Sequence, residues 1–233
     1  MRLCSRPTGL VITFGAVTLP LTLSLFAPQE SRAEAPAVGN VSGVVTVLVD
    51  DAPKADRSGI VVYLENVPGA AAPAGKREIR QKNLAFTPGL MVIVKGTTVE
   101  FPNDDKVFHN VFSVSKAARF DLGLYKSGES KSVTFREAGV VDVYCNIHPH
   151  MVTKIKVLDN GFYAVTGADG SFQIKNAPVG TYPVVAWQAH GPEVRGEVTV
   201  TAGGTSAFKP TLAEGTASKR HLRKDGTPYG RYK

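Results

Sequence analysis

Apolar and polar positions alternate along most of this chain with a period of two, and no stretch holds the 3.6-residue period of an amphipathic helix. Residues 41–49 and 60–64 are rich in β-branched side chains and read as strands, joined by a polar connection over 50–58. An Ala/Pro/Gly-rich stretch at 69–75 reads as a linker. Strand-like runs then follow at short intervals: 78–86, 90–94, 98–101, 107–114, 132–135, 140–145 and 152–158. After the turn Asp159-Asn160-Gly161 the pattern resumes at 162–166, 171–175, 182–187 and 197–200. Many short strands separated by turn residues predict an all-β chain built as sandwiches or barrels. From residue 202 onward Gly, Ser, Thr and basic residues predict a mobile end.

The N-terminus is set apart from this pattern. Arg2 and Arg6 precede an apolar stretch over 10–27, and Ser31-Arg32-Ala33 supplies small residues for cleavage, so residues 1–33 read as a secretory signal peptide. An uncleaved anchor is the rival, since the stretch is about long enough to span a bilayer. Cleavage removes Cys4 and leaves Cys145 as the one cysteine of an exported, periplasmic-type chain, in a compartment where cysteines usually pair. That excludes an internal disulfide and a copper centre bridged by two thiolates. Without Arg2, Arg6, Arg32 and Glu30 the formal charge falls from +7 to +5, and residues 204–233 alone carry +5. The body is near neutral and the basicity sits in a tail, so nucleic-acid binding is not expected.

The chemistry concentrates in Tyr144-Cys145-Asn146-Ile147-His148-Pro149-His150-Met151. A thiol, an imidazole three residues on and a thioether three residues beyond place three soft or borderline donors in one turn. His109 offers a second imidazole upstream, at a strand-like run. Two imidazoles and a thiolate in a trigonal plane with a weak axial methionine form the ligand set of a blue-copper electron-transfer site. Pro149 fixes one backbone angle of the loop. His150 adds a third imidazole, so the residues alone leave open which loop histidine binds. Structural zinc usually takes four strong ligands, one more than this set supplies. Asp104-Asp105 reads as a turn, and His221 as solvated.

Residues 96–104, the pair His109-Asn110 and the loop 145–151 together resemble the cupredoxins, with a ligand loop similar to that of the amicyanin and pseudoazurin-like branch. The whole chain resembles periplasmic methylamine-utilisation or plastocyanin-like proteins. The resemblance implies a Greek-key β-sandwich over 76–159, with one mononuclear copper held by His109, Cys145 and His148 in the plane and Met151 on the axis. It also implies that Asn110 ties the two ligand loops together near the thiolate, with Pro149 in support.

Residues 163–174 and 178–182 resemble the carboxypeptidase-regulatory or transthyretin-like sandwich, whose first strand pair would be 43–64. The expected organisation is a signal peptide (1–33), a second small β-sandwich split between 38–68 and 161–207, the copper domain (76–159) inserted in it, and a basic mobile tail (208–233). The rival places 41–64 on the copper domain's own sheet. Two functions stay open. One is an electron carrier that does no bond chemistry and meets a redox protein partner, with no stable membrane insertion after cleavage. The other is a copper store or chaperone without a redox partner.

Overall fold

The computed structural model describes residues 1, 9, 37–69, 75–215 and 221–229. The signal peptide expected over 1–33 therefore lies outside the described residues, save Met1 and Gly9. The fold is all-β, and among the described residues no helix is long and apolar enough to cross a membrane.

One group of strands comes from both ends of the chain. Val38–Val44 lies between Ser171–Pro178, antiparallel, and Thr205–Ala207, parallel. Facing it, Val61–Leu64 lies between Tyr163–Val165 and Gly180–Trp187, and Val194–Val200 completes that sheet. Alternate side chains such as Val41, Val62, Leu64, Ile174, Val184 and Val200 fill the core between them. Gly43 is required here by close approach: a Cβ on it would meet the Phe208 carbonyl oxygen at 1.7 Å.

A second group lies wholly within 76–158. Its larger sheet runs Ala118–Tyr125, His109–Ser115, Gly139–Tyr144, Val152–Leu158 and Leu90–Val94, the last pair parallel. Its smaller sheet runs Ser130–Thr134, Thr98–Pro102 and Lys76–Glu78. Val99, Phe101, Val111, Phe135, Val143 and Ile155 are buried between them.

Val61–Leu64 has no polar position, and the structure shows why. Val62 and Leu64 face the first core, while Val61 and Tyr63 join a third cluster with Val185, Trp187 and Leu158. An unbroken apolar run is the mark of a strand covered on both faces. Lys156 closes the same contact. It is 7% exposed, and its ammonium lies 4.9 Å from the Tyr63 ring centroid and 5.0 Å from that of Trp187. The points where the chain leaves and rejoins the first group touch: the Leu64 amide donates to Phe162 O at 3.0 Å and the Asn160 amide side chain to Leu64 O at 2.9 Å.

Three details differ from the sequence expectation. The run 78–86 holds the end of Lys76–Glu78 and then two short strands, Arg80–Lys82 and Ala85–Thr87, which are separate because Asn83 and Leu84 take φ of 54° and 57° and form a hairpin turn. Ala118–Tyr125 is a strand whose polar positions and Gly123, at φ 67°, hide the alternation. The tail from 208 is not free throughout. Thr211–Ala213 pairs in parallel with Thr46–Leu48, burying Leu212, and residues 221–229 make specific contacts with the strand end at Tyr144. Aromatic and apolar anchors spaced far apart hold this segment, and a basic composition conceals them.

Candidate metal centre

In Gly139–Tyr144 the side chains of Val141 and Val143 point into the core, and the same alternation aims Cys145 inward just past the strand end. His109 opens its strand and is fully buried, as are Cys145 and Met151. The Cys145 amide donates to Met151 O at 3.2 Å and the Met151 amide to His148 O at 3.1 Å, which closes the loop into a tight turn.

Three of the four sequence-expected ligands present donor atoms to one point. His109 Nδ1 and His148 Nδ1 are 3.0 Å apart, and Cys145 Sγ lies 3.6 Å from His148 Nδ1 and 4.0 Å from His109 Nδ1. Donors bound about 2.0–2.3 Å from one ion in a trigonal plane lie roughly 3.5–3.8 Å apart. The observed separations bracket that range. Met151 shares the buried cluster with Cys145. His150 is exposed, its ring centroid 6.3 Å from that of His148, and it stands outside the His109, Cys145 and His148 group.

Asp105 supplies what the sequence reading did not find. Its Oδ2 lies 2.9 Å from His109 Nε2, and its carboxylate accepts from the Asn83 and Leu84 amides at 2.6 and 2.9 Å. Burial works against this charge, but the two amides and His109 outweigh it and hold the Asp105 carboxyl below its ordinary value. The carboxylate accepts the Nε2 proton of His109 and so turns Nδ1 toward Cys145 and His148. Asn103, fully buried, sets the loop: its Oδ1 accepts from the Asp105 amide at 3.0 Å and its Nδ2 donates to Val107 O at 2.9 Å. The Asp104-Asp105 turn is real, and the missed signal was an acid four residues before a candidate ligand. In a loop that spacing has no fixed geometry.

The electrostatics suit a cation. Burial pushes the Cys145 thiol up, but the His109 hydrogen bond and the backbone amides of Asn110, Ile147 and His148 outweigh it and hold the thiol below its ordinary value. Burial also pushes His109 down, and its bonds to Cys145 and Asp105 outweigh that and raise it. His148 is lowered by burial and by the charges of His109 and His150, so its nitrogen is free at neutral pH. In the metal-free chain hydrogen bonds hold Cys145 Sγ, His109 Nδ1 and His148 Nδ1 together, and a metal ion would take the place of the proton between them. The donor set contains no carboxylate oxygen, which suits copper rather than calcium or magnesium.

Asn110 reaches the loop by a different route from the one expected. Its backbone amide approaches the sulfur, while its Nδ2 donates to Asp121 Oδ1 at 2.7 Å and its buried Oδ1 has no partner among the described residues. Pro149 is half-buried between the two loop histidines.

The copper binding proteins of the plastocyanin/azurin family match residues 73–158. Amicyanin-alpha of Methylorubrum extorquens is 30% identical over 89 residues, which is 37% of this chain and 75% of that protein. Among solved structures, a reduced amicyanin mutant is 24% identical, covering 42% of this chain and 98% of its own, with a TM-score of 0.34. A purple cupredoxin from Nitrosopumilus maritimus is 28% identical, covering 35% and 99%, with a TM-score of 0.32. One copper is the cofactor that both the donor chemistry and the family require. Through the segment that carries His109, Cys145, His148 and Met151, this chain belongs to the plastocyanin/azurin family of copper-binding proteins.

Proposed function

We propose that this is an exported type 1 copper protein that carries single electrons between redox partners, with His109, Cys145, His148 and Met151 as the residues that would hold the copper. Copper supplies a one-electron couple whose two states favour thiolate and thioether on one side and imidazole on the other. The observation that carries the reading is the convergence of the three donors within 3.0–4.0 Å on a frame that is complete without metal. Asp105 holds one imidazole, the two hydrogen bonds across the loop hold the other two donors, and burial keeps water from the thiolate. A ligand frame that need not rearrange between oxidation states favours fast outer-sphere transfer over bond chemistry.

His148 is only half-buried, so its ring is the donor that a partner can approach. Val107 and Phe108, just before His109, and Val152, just after Met151, are exposed apolar side chains suited to a transient contact with a redox protein. The signal-peptide pattern over residues 1–33 supports placement outside the cytoplasm. For the organisation of the chain, the strand pairings of 38–64 with 163–207 and the touching junctions at Leu64 and Asn160 support a transthyretin-like sandwich split by the inserted copper domain.

A copper store is the competing reading, and redox cycling separates the two. Protein loaded with one copper is taken through repeated reduction and oxidation in the presence of a competing chelator. A carrier retains its metal and gives a reversible one-electron wave. Loss of metal in either half-cycle supports storage.

A further inference from the structure

Residues 221–229 are braced on themselves, with the Arg223 amide bonded to Thr227 O at 2.8 Å and the Gly226 amide to Arg223 O at 2.9 Å. From this small loop, side chains reach both arms of the metal centre. The Tyr229 hydroxyl donates to the carbonyl of Cys145 at 2.6 Å. Its proton is thereby committed, so its oxygen, 3.0 Å from His221 Nε2, accepts the proton on that nitrogen. The His221 ring stacks on Tyr144, the residue before the thiol, with centroids 4.1 Å apart and planes 16° apart. The Lys224 amide donates to Asn146 Oδ1 at 3.0 Å, fixing the residue after the thiol.

The second arm is reached through Lys224 as well. Its ammonium pairs with Asp121 Oδ2 at 2.6 Å, and the other oxygen of Asp121 accepts from Asn110 Nδ2 at 2.7 Å, next to His109. Asp121 is held below its ordinary value because Lys224, Gly123 and Asn110 outweigh its burial.

We infer that residues 221–229 are a strap that positions the copper ligands, with Tyr229 and Lys224 as positioning residues clamping the Cys145 loop to the strand that begins at His109. The family match ends at residue 158, so this chain supports its metal centre with a segment from outside the matched domain. The strap does the work expected of Asn110 alone, by an indirect chain of bonds from Asn110 through Asp121 and Lys224 to Asn146. The inference rests on the copper reading above for its purpose, although the clamp itself is a property of the metal-free chain.

The test therefore starts without metal. Amide hydrogen exchange over 145–151 is measured in the full chain, in Tyr229→Phe and in a chain ending at Glu214, followed by a Cu(I) competition titration of each. Removing either the hydroxyl or the segment should speed exchange in the loop about tenfold, while Val61–Leu64 exchanges as before. Copper affinity should fall about tenfold, the lower end of the effect of losing a group that orients a ligand. A synthetic peptide of residues 215–233, added back to the truncated chain, should restore protection. Unchanged loop exchange in both variants would overturn the strap. Faster exchange with unchanged affinity would reduce it to a cover with no part in the centre. If no form of the protein bound copper, the copper reading would fail while the exchange result still judged the clamp.

Discussion

His148→Ala is expected to abolish the oxidised copper centre, and His150→Ala to leave it in place. The two residues are two positions apart on one turn, yet only His148 brings a ring nitrogen to the common point, 3.6 Å from the Cys145 sulfur and 3.0 Å from His109 Nδ1. His150 is exposed and its effect on the site is electrostatic, through the charge that helps lower His148. Removing His148 would leave two strong donors, His109 and Cys145, too few to hold copper as proposed. The visible band and the stoichiometric copper content should both be lost in His148→Ala. In His150→Ala they should persist, with affinity changed by less than about threefold, the scale of a surface charge screened by salt. The reverse outcome would move the ligand to His150.

Asp105→Ala should weaken copper binding about 10- to 100-fold without removing any ligand. The carboxylate fixes the proton of His109 on Nε2, and without it the imidazole is free to turn or to carry its proton on the metal-facing nitrogen. The same change leaves the Asn83 and Leu84 amides without their acceptor, in a turn where both residues hold positive φ. Hydrogen bonds to a charged group contribute about 1.5–3 kcal/mol each, so metal-free stability should also fall by at least ~2 kcal/mol. Asp105→Asn, which keeps one acceptor oxygen, should be intermediate on both counts. Urea melts of the metal-free variants and Cu(I) competition titrations give the two numbers. If Asp105→Ala binds copper as tightly as the parent, the carboxylate only shapes the turn.

The candidate donors were legible in the sequence because a tight loop converts spacing into geometry. Cys145, His148 and Met151 sit three residues apart, and a turn of that length leaves them few ways to point. His109 was legible for another reason: a strand-like run carries it to a fixed height in the sandwich. Asp105 was not, since its approach to His109 depends on the Asn103 side chain and on the hairpin at Asn83-Leu84, neither of which has a periodic signature. The strands of the first sandwich were read from β-branched alternation, whereas Thr205–Ala207 and Thr211–Ala213 are short additions anchored by two isolated apolar residues, Phe208 and Leu212. The docking of 221–229 was hidden for the same reason. Its anchors, His221 and Tyr229, meet Tyr144 and Cys145 across some eighty residues, and composition carries no information about such a contact.

The most direct test is the visible absorption spectrum of the oxidised protein carrying one copper, beside that of Cys145→Ser. A buried thiolate in a trigonal set with two imidazoles should give intense charge-transfer absorption from sulfur to Cu(II), and the serine variant should be colourless. A parent protein that binds one copper and stays colourless when oxidised would contradict the assignment of Cys145 and, with it, the electron-carrier function.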